Sequence, residues 1–575
     1  MIKDFLKDIR LIYKNIDKID RNTINEFREK WSIEGTIGHT YESIVQKQDR
    51  KSSGSFYTPY SVTSYMNNKI LYNFDLDNIN VKILDPSCGG GYFLIDMYIK
   101  LEERLRGKLE NHKRHIIENM IYGFDIDKTA VYITVIELFY LSGYVCKNIK
   151  NKDYLKISNR NKFDLIIGNP PYIGHKVLDK EYSKCLKESF SEVFYNKGDI
   201  SFCFIKKSID LLSENGKIGF FTSRYLIESL CGDGIRNYII NNASIDRIID
   251  FYGVRILKGV GVDNIIMFLS KNPTGSIEYF KLKECGKDMG DKVFDDIDLK
   301  EEKLSSYIKV DAIDIKGKPW SFYSSTEKEI INKIHEKCNI KLCDIAFAFQ
   351  GIITGSDKAF IVNNNDSINV EEKLLKPWLK GKQVNRFYTD IPLKKIIYTD
   401  IIDNIESYPH AKEFLMPYKE KLEIRRECIR GIRHWYNIQW GRKSEYFEGT
   451  KIIFPYKSPN NRFTIDRGNY FSADIYGLKL SSNEYSYEFL TCILNSSIYE
   501  FYIKTIAKKL GDSLYEYYPN KIINIPIVPF IKSIENLYKG KDTDDREIDR
   551  LLLDYFELSN EQYLFIRQYI GCTGY

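Results

Sequence analysis

The first stretch of the chain places apolar side chains at helical spacing: Ile2, Phe5, Leu6, Ile9 and Ile12 fall on one face. That predicts an N-terminal helical segment over residues 1–50. The pattern then breaks at KSSGSFYTPYSVTSYM, where Ser-Ser-Gly marks a loop. Thr58-Pro59 is expected to open a new helix, with Thr as N-cap and Pro in the first turn.

From about residue 80 to 270, short apolar runs alternate with longer amphipathic ones. VKILD, MIYGFDID, FDLIIGN, KIGFFTS, IDRIIDF and NIIMFLS read as strands. YFLIDMYIKLEERL, KTAVYITVIELFYLSG and SFCFIKKSIDLLSENG read as helices, the last ending at Gly216. This alternation predicts an α/β fold, a doubly wound Rossmann-like parallel sheet with helices on both faces. Ligands of such sheets bind beyond the carboxyl ends of the strands. After about residue 310 the alternation fades and basic and aromatic residues rise. The expected division is 1–50 helical, 51–300 catalytic, and 301–575 a mixed α+β recognition domain.

Composition narrows the class without deciding it. Of the 575 residues 43% are hydrophobic and 29% charged, which is globular. A net charge of +6 is mildly basic, so its distribution matters more than its size. None of the eleven cysteines forms a CxxC pair. His335, Cys338 and Cys343 come nearest to a metal cluster but have no matching second pair, so no metal is expected. The N-terminus has no signal-peptide pattern and no apolar run is long enough to span a membrane, so a reducing, cytoplasmic and nucleoid-associated setting is expected.

The chemistry begins at ILDPSCGGGYF, where Asp85 ends a strand and Gly89, Gly90 and Gly91 form a turn into a helix. The dinucleotide fingerprint GxGxxG is absent, and an acid before the turn disfavours a phosphate. It favours a ligand with positive charge and hydroxyls. S-adenosylmethionine has a sulfonium, an ammonium and a ribose. Asp85 would lie near the cationic part, Asp125 in GFDID would take the ribose hydroxyls, and Asp153 with Tyr154 would hold the adenine ring. Each acid alone could instead cap the helix that follows it. Three at successive strand ends beside a glycine turn favour the ligand.

The next strand ends in Asn169-Pro170-Pro171-Tyr172. The prolines stiffen the turn. The Asn169 side chain and the Pro170 carbonyl offer two acceptors, and Tyr172 offers a flat face. That set suits a planar group bearing an NH2, such as the exocyclic amine of adenine. Two acceptors taking its hydrogens turn the nitrogen lone pair toward an electrophilic methyl without a strong base. In duplex DNA the base must first be flipped out.

These motifs resemble the N6-adenine DNA methyltransferases with the gamma order of motifs, the TaqI type. SGSFYTPYSVTSYM matches the tenth motif, LDPSCGGGYF the first, GFDID the second, KDYL the third and NPPY the fourth. GDISFCFIKKSIDLLSENGKIGFFTSRYL matches the fifth and sixth. NPPYIGHK, FQGIITGSDKAFI, GIRHWYNIQWGR, FPYKSPNNRF and YYPNK extend the likeness over the whole chain, to the orphan, sporulation-linked adenine methyltransferases of clostridia. The resemblance implies that Tyr57, Thr58, Asp85, Ser87, Gly89, Asp125, Ile126, Asp153, Tyr154, Asn169 and Pro171 line an S-adenosylmethionine pocket. It implies that Asn169, Pro170 and Tyr172 hold the target adenine. Family members often place a Phe on the far face of the base. Leu257 stands there in this chain, and Phe204 is the alternative contact.

For the DNA surface, RRECIRGIRHWYNIQWGRK carries Arg425, Arg426, Arg430, Arg433, Arg442 and Lys443, with Trp435, Tyr436 and Trp440 interleaved. Arginines grip phosphate or read guanine, and Gln439 can read adenine. Lys508 and Lys509 form a second basic candidate. The charges from Glu371 to Lys382 are mixed and read as an ordinary amphipathic helix. The resemblance suggests a monomer methylating a short, asymmetric, adenine-rich site in double-stranded DNA on one strand. Only about 55 residues precede the tenth motif, too few for a nuclease domain with its own core. The alternatives are methyl transfer to RNA adenine or to a protein glutamine.

Overall fold

The computed structural model describes residues 2–45, 58–72, 74, 80–158, 161–254, 262–272, 275–283, 291–315, 319–511 and 513–571. Tyr57 and Leu257 lie outside them. The chain divides into two compact units, Met1–Ser324 and Ser325–Tyr575.

The first unit is built on nine strands: β1 (Ile83–Asp85), β2 (Ile121–Asp125), β3 (Ile149–Asn151), β4 (Phe163–Gly168), β5 (Leu212–Ser223), β6 (Ser244–Asp250), β7 (Asn264–Ser270), β8 (Ser276–Leu282) and β9 (Ser305–Asp311). They form one sheet in the order β3-β2-β1-β4-β5-β7-β6-β8-β9. The pairs from β3 across to β5 are parallel, as the alternation predicts. The sheet is not parallel throughout, however. β7 inserts between β5 and β6 and pairs antiparallel with both. Every residue of β7 is buried, as befits a strand covered on both faces. β8 and β9 widen the sheet further, so the first unit runs past residue 300 to Ser324.

Seven helices set up the site: α1 (Ile2–Lys14), α2 (Arg21–Lys30), α3 (Ile37–Val45), α4 (Tyr60–Leu71), α5 (Tyr92–Leu105), α6 (Lys128–Ser142) and α7 (Ile200–Leu211). α6 is apolar nearly all round, which requires cover on both sides. The N-terminal segment supplies one side. Phe5, Ile9 and Ile12 of α1 are buried in the same core as α6, and Tyr13 stacks on Tyr132 at 3.8 Å. The buried Glu137 of α6 accepts from the Ile37 N–H and pairs with Arg28 at 3.5 Å. The N-terminal helices are therefore a layer of the first unit.

Two local expectations shift. α7 ends at Leu211, and Leu212–Gly216 already belong to β5. Pro59, not Thr58, occupies the cap position of α4, so the Thr58 hydroxyl is released from capping. α4 is instead tied to α5 by Asn67, whose Nδ2 donates to Phe93 O (2.9 Å) and Asp96 Oδ2 (2.8 Å).

The second unit is mixed α+β. One antiparallel sheet orders Ala346–Gln350, Ile475–Leu480, Thr450–Pro455 and Thr464–Arg467. Another orders Ile361–Asn363, Lys394–Ile397, Leu375–Leu379 and Tyr470–Phe471. The segment expected as an amphipathic helix is thus largely the strand Leu375–Leu379, its Trp378 and Leu379 buried. In the first sheet Lys451 faces Asp466 across neighbouring strands, and the two pair at 2.5 Å with both side chains fully buried. Lys451→Met leaves that carboxylate without its cation. The expected loss, read by denaturant unfolding, is about 3–5 kcal/mol, against under about 1 kcal/mol for the exposed Lys443→Met.

Candidate active site and nucleic-acid surface

The strand order turns back between β1 and β4, and the predicted residues gather at the carboxyl ends of those two strands. Asp85, at the end of β1, is 1% exposed. Its Oδ1 accepts the Ser87 N–H at 3.0 Å. No basic side chain among the described residues pairs with it, and burial pushes its carboxyl up to about 8. Opposite, Gly168 ends β4. A Cβ there would come 2.6 Å from Asp85 Oδ1, so glycine is the residue that lets the two strand ends meet. Ser87 closes the pair by donating from Oγ to the Asn169 carbonyl at 3.2 Å.

Asp125 sits one strand over. Its two carboxylate oxygens accept from the Gly89 N–H and the Asp127 N–H, both at 2.8 Å. Burial still outweighs these bonds and raises its carboxyl to about 6. Beside it Ile126 is 77% exposed, an apolar side chain held out at a strand end. Gly91, with φ of 87°, starts α5, and a Cβ on it would meet Thr134 at 2.9 Å. The turn is thus a backbone cradle flanked by two buried or half-buried acids that pair with no cation among the described residues.

Asn169 is held at both ends of its amide. Nδ2 donates to Thr58 Oγ1 at 3.0 Å, and Oδ1 accepts from the Tyr172 hydroxyl. The Tyr172 hydroxyl also lies 3.0 Å from Phe221 O, so its single hydrogen is shared between two acceptors, and its ring packs against the core. The structure therefore shows Tyr172 bonded to the amide that sequence reasoning kept for a substrate. Pro170 is buried and Pro171 half-buried.

Asp153 and Tyr154 follow β3, next to the end of β2. Tyr154 is buried between Phe124 and Phe204, its hydroxyl bonded to Ser208 Oγ at 3.1 Å. Asp153 accepts from Leu155 N–H and the Tyr182 hydroxyl. Phe204, taken as a candidate partner for a target base, is instead buried against Tyr154 on the β2–β3 side. The reason is helical phase: Phe204 lies on the face of α7 that packs on the sheet.

The sequence reading missed the N-terminal contribution. A Cβ on Gly38 of α3 would lie 3.0 Å from Gly90 O, and Tyr41 donates to Asp127 Oδ2 at 2.7 Å. It also missed Asn264 and Thr222, buried at the ends of β7 and β5. The Asn264 amide nitrogen and the Thr222 hydroxyl have no partner among the described residues. The one available signal was two polar residues at the ends of otherwise apolar strands.

In the second unit the arginine segment divides by exposure. Arg425 is an internal brace: it donates to Leu422 O (2.9 Å), Trp435 O (2.8 Å) and Asn437 O (2.8 Å). That corrects its expected role on the DNA surface. Gln439 donates to buried Glu427, Arg433 pairs with Asp400, and Arg442 donates to Gln350. Arg426 and Arg430 are exposed, as is Lys443, 3.4 Å from Glu445. Lys509 is buried and Lys508 half-buried on the strand Lys508–Leu510, so Lys509 is corrected from a surface cation to a core one.

Residues 33–342, more than half of the chain, match the family described as N-6 DNA Methylase. Residues 376–527 match the TaqI-like C-terminal specificity domain. The chain is similar to the Type II methyltransferase M.BstVI of Geobacillus stearothermophilus, with 22% identity over 91% of this chain and 99% of that protein. It is similar to M.HindII of Haemophilus influenzae, with 26% identity over 91% and 97%. The solved structure of MmeI, a Type IIL restriction-modification enzyme in complex with DNA, shares the fold at TM-score 0.60 and 14% identity, over 93% of this chain and 81% of that one.

The division among the arginines is testable by melting. Arg425→Ala strands four backbone carbonyls, those of Leu422, Thr354, Trp435 and Asn437, and is expected to cost about 2–3 kcal/mol. Arg426→Ala, on the exposed side, should change stability by no more than about 0.5 kcal/mol.

Proposed function

Because the chain belongs to the N-6 DNA methylase family, and is thereby an S-adenosylmethionine-dependent DNA adenine methyltransferase, we propose that it modifies N6 of an adenine flipped out of duplex DNA. The observation that carries this is the Thr58–Asn169–Tyr172 chain of hydrogen bonds at the strand end beside Asp85. Asn169 presents its amide oxygen at this strand end, with both ends of the amide held by hydroxyls. An adenine amine entering the site takes over that oxygen from the Tyr172 hydroxyl, and the Pro170 carbonyl takes its second hydrogen. Releasing Tyr172 frees its ring to lie against the base. Asn264, beside the Tyr172 hydroxyl, is placed to receive it.

The donor set fits the cofactor. The uncompensated carboxylate of Asp85 suits the cationic methionine part, and Asp125 the ribose hydroxyls. Ile126 and the glycine turn provide close apolar and backbone contact, as the resemblance implies. When bound, S-adenosylmethionine supplies a methyl group activated on a sulfonium. The finer reading is a gamma-order enzyme acting as a monomer in the cytoplasm, without a nuclease partner, on a short asymmetric adenine-rich site. The order of the motifs supports its gamma-order part, and coverage of nearly all of M.BstVI and M.HindII supports a methyltransferase of that extent. The clostridial orphan, sporulation-linked likeness rests on the whole-length motifs in NPPYIGHK to YYPNK. Single-molecule sequencing of genomic DNA with and without the gene reads both base and context. Modification absent from adenine would overturn the proposal.

Two outcomes are expected at the site. Asn169→Ala should lower methyl transfer by about a thousandfold or more while cofactor affinity, measured by calorimetry, stays within about threefold. The second outcome follows from the carboxyl held up to about 8. A cation favours the ionised form, so binding below that pH takes a proton off Asp85. Affinity for S-adenosylmethionine should weaken as pH falls from about 8 to about 6, by up to about tenfold per unit. Asp85→Asn should flatten that profile.

A further inference from the structure

Positive charge that is scattered along the sequence collects at one place in the second unit. A groove of about 1050 Å³ opens between the short helix Asp357–Phe360, the strand Leu375–Leu379 and residues 382–394. Lys358, Lys380, Lys382 and Lys394 line it, against Asp357 and Asp390. Both acids are already engaged. Asp357 pairs with Lys380 at 2.9 Å and accepts from the Thr354 hydroxyl, and Asp390 accepts from Asn385. The exposed Lys358, Lys382 and Lys394 make no ion pair among the described residues, so the groove carries a surplus of cations. Trp378, 1% exposed, also lines it, and its indole N–H has no acceptor among the described residues. The groove offers mostly donors.

The groove is also continuous with the arginine segment. The loop Gly351–Lys358 joins them. Its Thr354 carbonyl accepts from Arg425 Nη1 (3.4 Å) and from the Gln439 N–H (3.3 Å). Gly355, at φ of 76°, packs so closely that a Cβ would meet Gln439 at 2.9 Å. Three residues on, the same loop delivers Asp357 and Lys358 to the groove.

We propose that this groove holds the phosphodiester backbone of duplex DNA beside the recognised site, continuing a track begun by Arg426 and Arg430. The proposal rests on the DNA-methyltransferase reading above and adds a second contact region to it. Flexible lysines with unpaired charge suit phosphates, whose contact positions a protein without reading sequence. A polyanion that runs on past the groove fits the continuity with the arginine segment. A short acidic peptide would not use it.

The test is a salt titration. Lys358→Gln, Lys382→Gln and Lys394→Gln are combined, and binding of a labelled, non-specific duplex of about 40 base pairs is followed by anisotropy over a range of NaCl. The expected result is binding weaker by about tenfold or more at low salt and a log–log salt slope shallower by about 2–3. Thermal melting and S-adenosylmethionine affinity should match the wild type. Unchanged affinity and slope would overturn the groove while leaving the methyltransferase reading intact, provided both proteins still methylate DNA. A wild type that neither binds nor methylates duplex DNA would sink both. Weakened binding of single-stranded RNA or polyglutamate, with duplex DNA unaffected, would also overturn the proposal.

Discussion

The parallel pairing of β1 with β4 is the constraint on which the site depends. Ile83 lies opposite Leu165 and Leu84 opposite Ile166, so Asp85 comes level with Ile167 and β4 ends one residue later, at Gly168. That register brings a carboxylate at one end against a glycine at the other, and puts Asn169 within reach of Ser87. A one-residue slip would turn Asp85 to the other face and separate them. The four residues in register are wholly buried, and the apolar packing around them holds an uncompensated carboxylate in place. Burying an acid that has no cation among the described residues is costly, and burial holds its carboxyl up to about 8.

Around that register, the local features were legible in the sequence. Helix α5 runs over Tyr92–Leu105, as its apolar spacing predicts, and α6 ends at Gly143 in the left-handed conformation that a C-terminal glycine permits. Asp85, Asp125 and Asn169 stand at strand ends because each follows a run of buried β residues. What was not legible depends on contacts far apart in the chain. Nothing near Thr58 shows that its hydroxyl serves Asn169, 111 positions away. Nothing near Gly38 shows that it touches Gly90. The N-terminal helices looked like a separate segment because their partner, α6, is distant in sequence and its need for a second cover shows only in its apolar circumference.

The polar side chains misjudged from sequence share one physical reason. A side chain that can serve a ligand can also serve the fold. Arg425 and Arg426 are neighbours with identical chemistry, yet one satisfies four backbone carbonyls and the other faces solvent. A short irregular segment gives no periodicity from which to assign the inward face. Tyr172 is ambiguous in the same way: its hydroxyl bonds to Asn169 while its ring remains the flat surface nearest the amide. Phe204 was misplaced for a simpler reason, the phase of its helix.

Net charge is a poor guide to a nucleic-acid surface for the same reason. The second unit uses cations in two ways. Arg425 and Lys451 are spent inside, on carbonyls and a carboxylate, where removing them would leave buried groups unmatched. Arg426, Arg430, Lys358, Lys382 and Lys394 are left outside, where they contribute little to stability. A fold evolving for stability alone has small reason to keep unpaired lysines around one groove with both of its acids already occupied. The mutual repulsion of such charges is relieved when a polyanion lies among them. The loop Gly351–Lys358, packed against the internal Arg425 through Thr354, sets Lys358 at the edge of that groove.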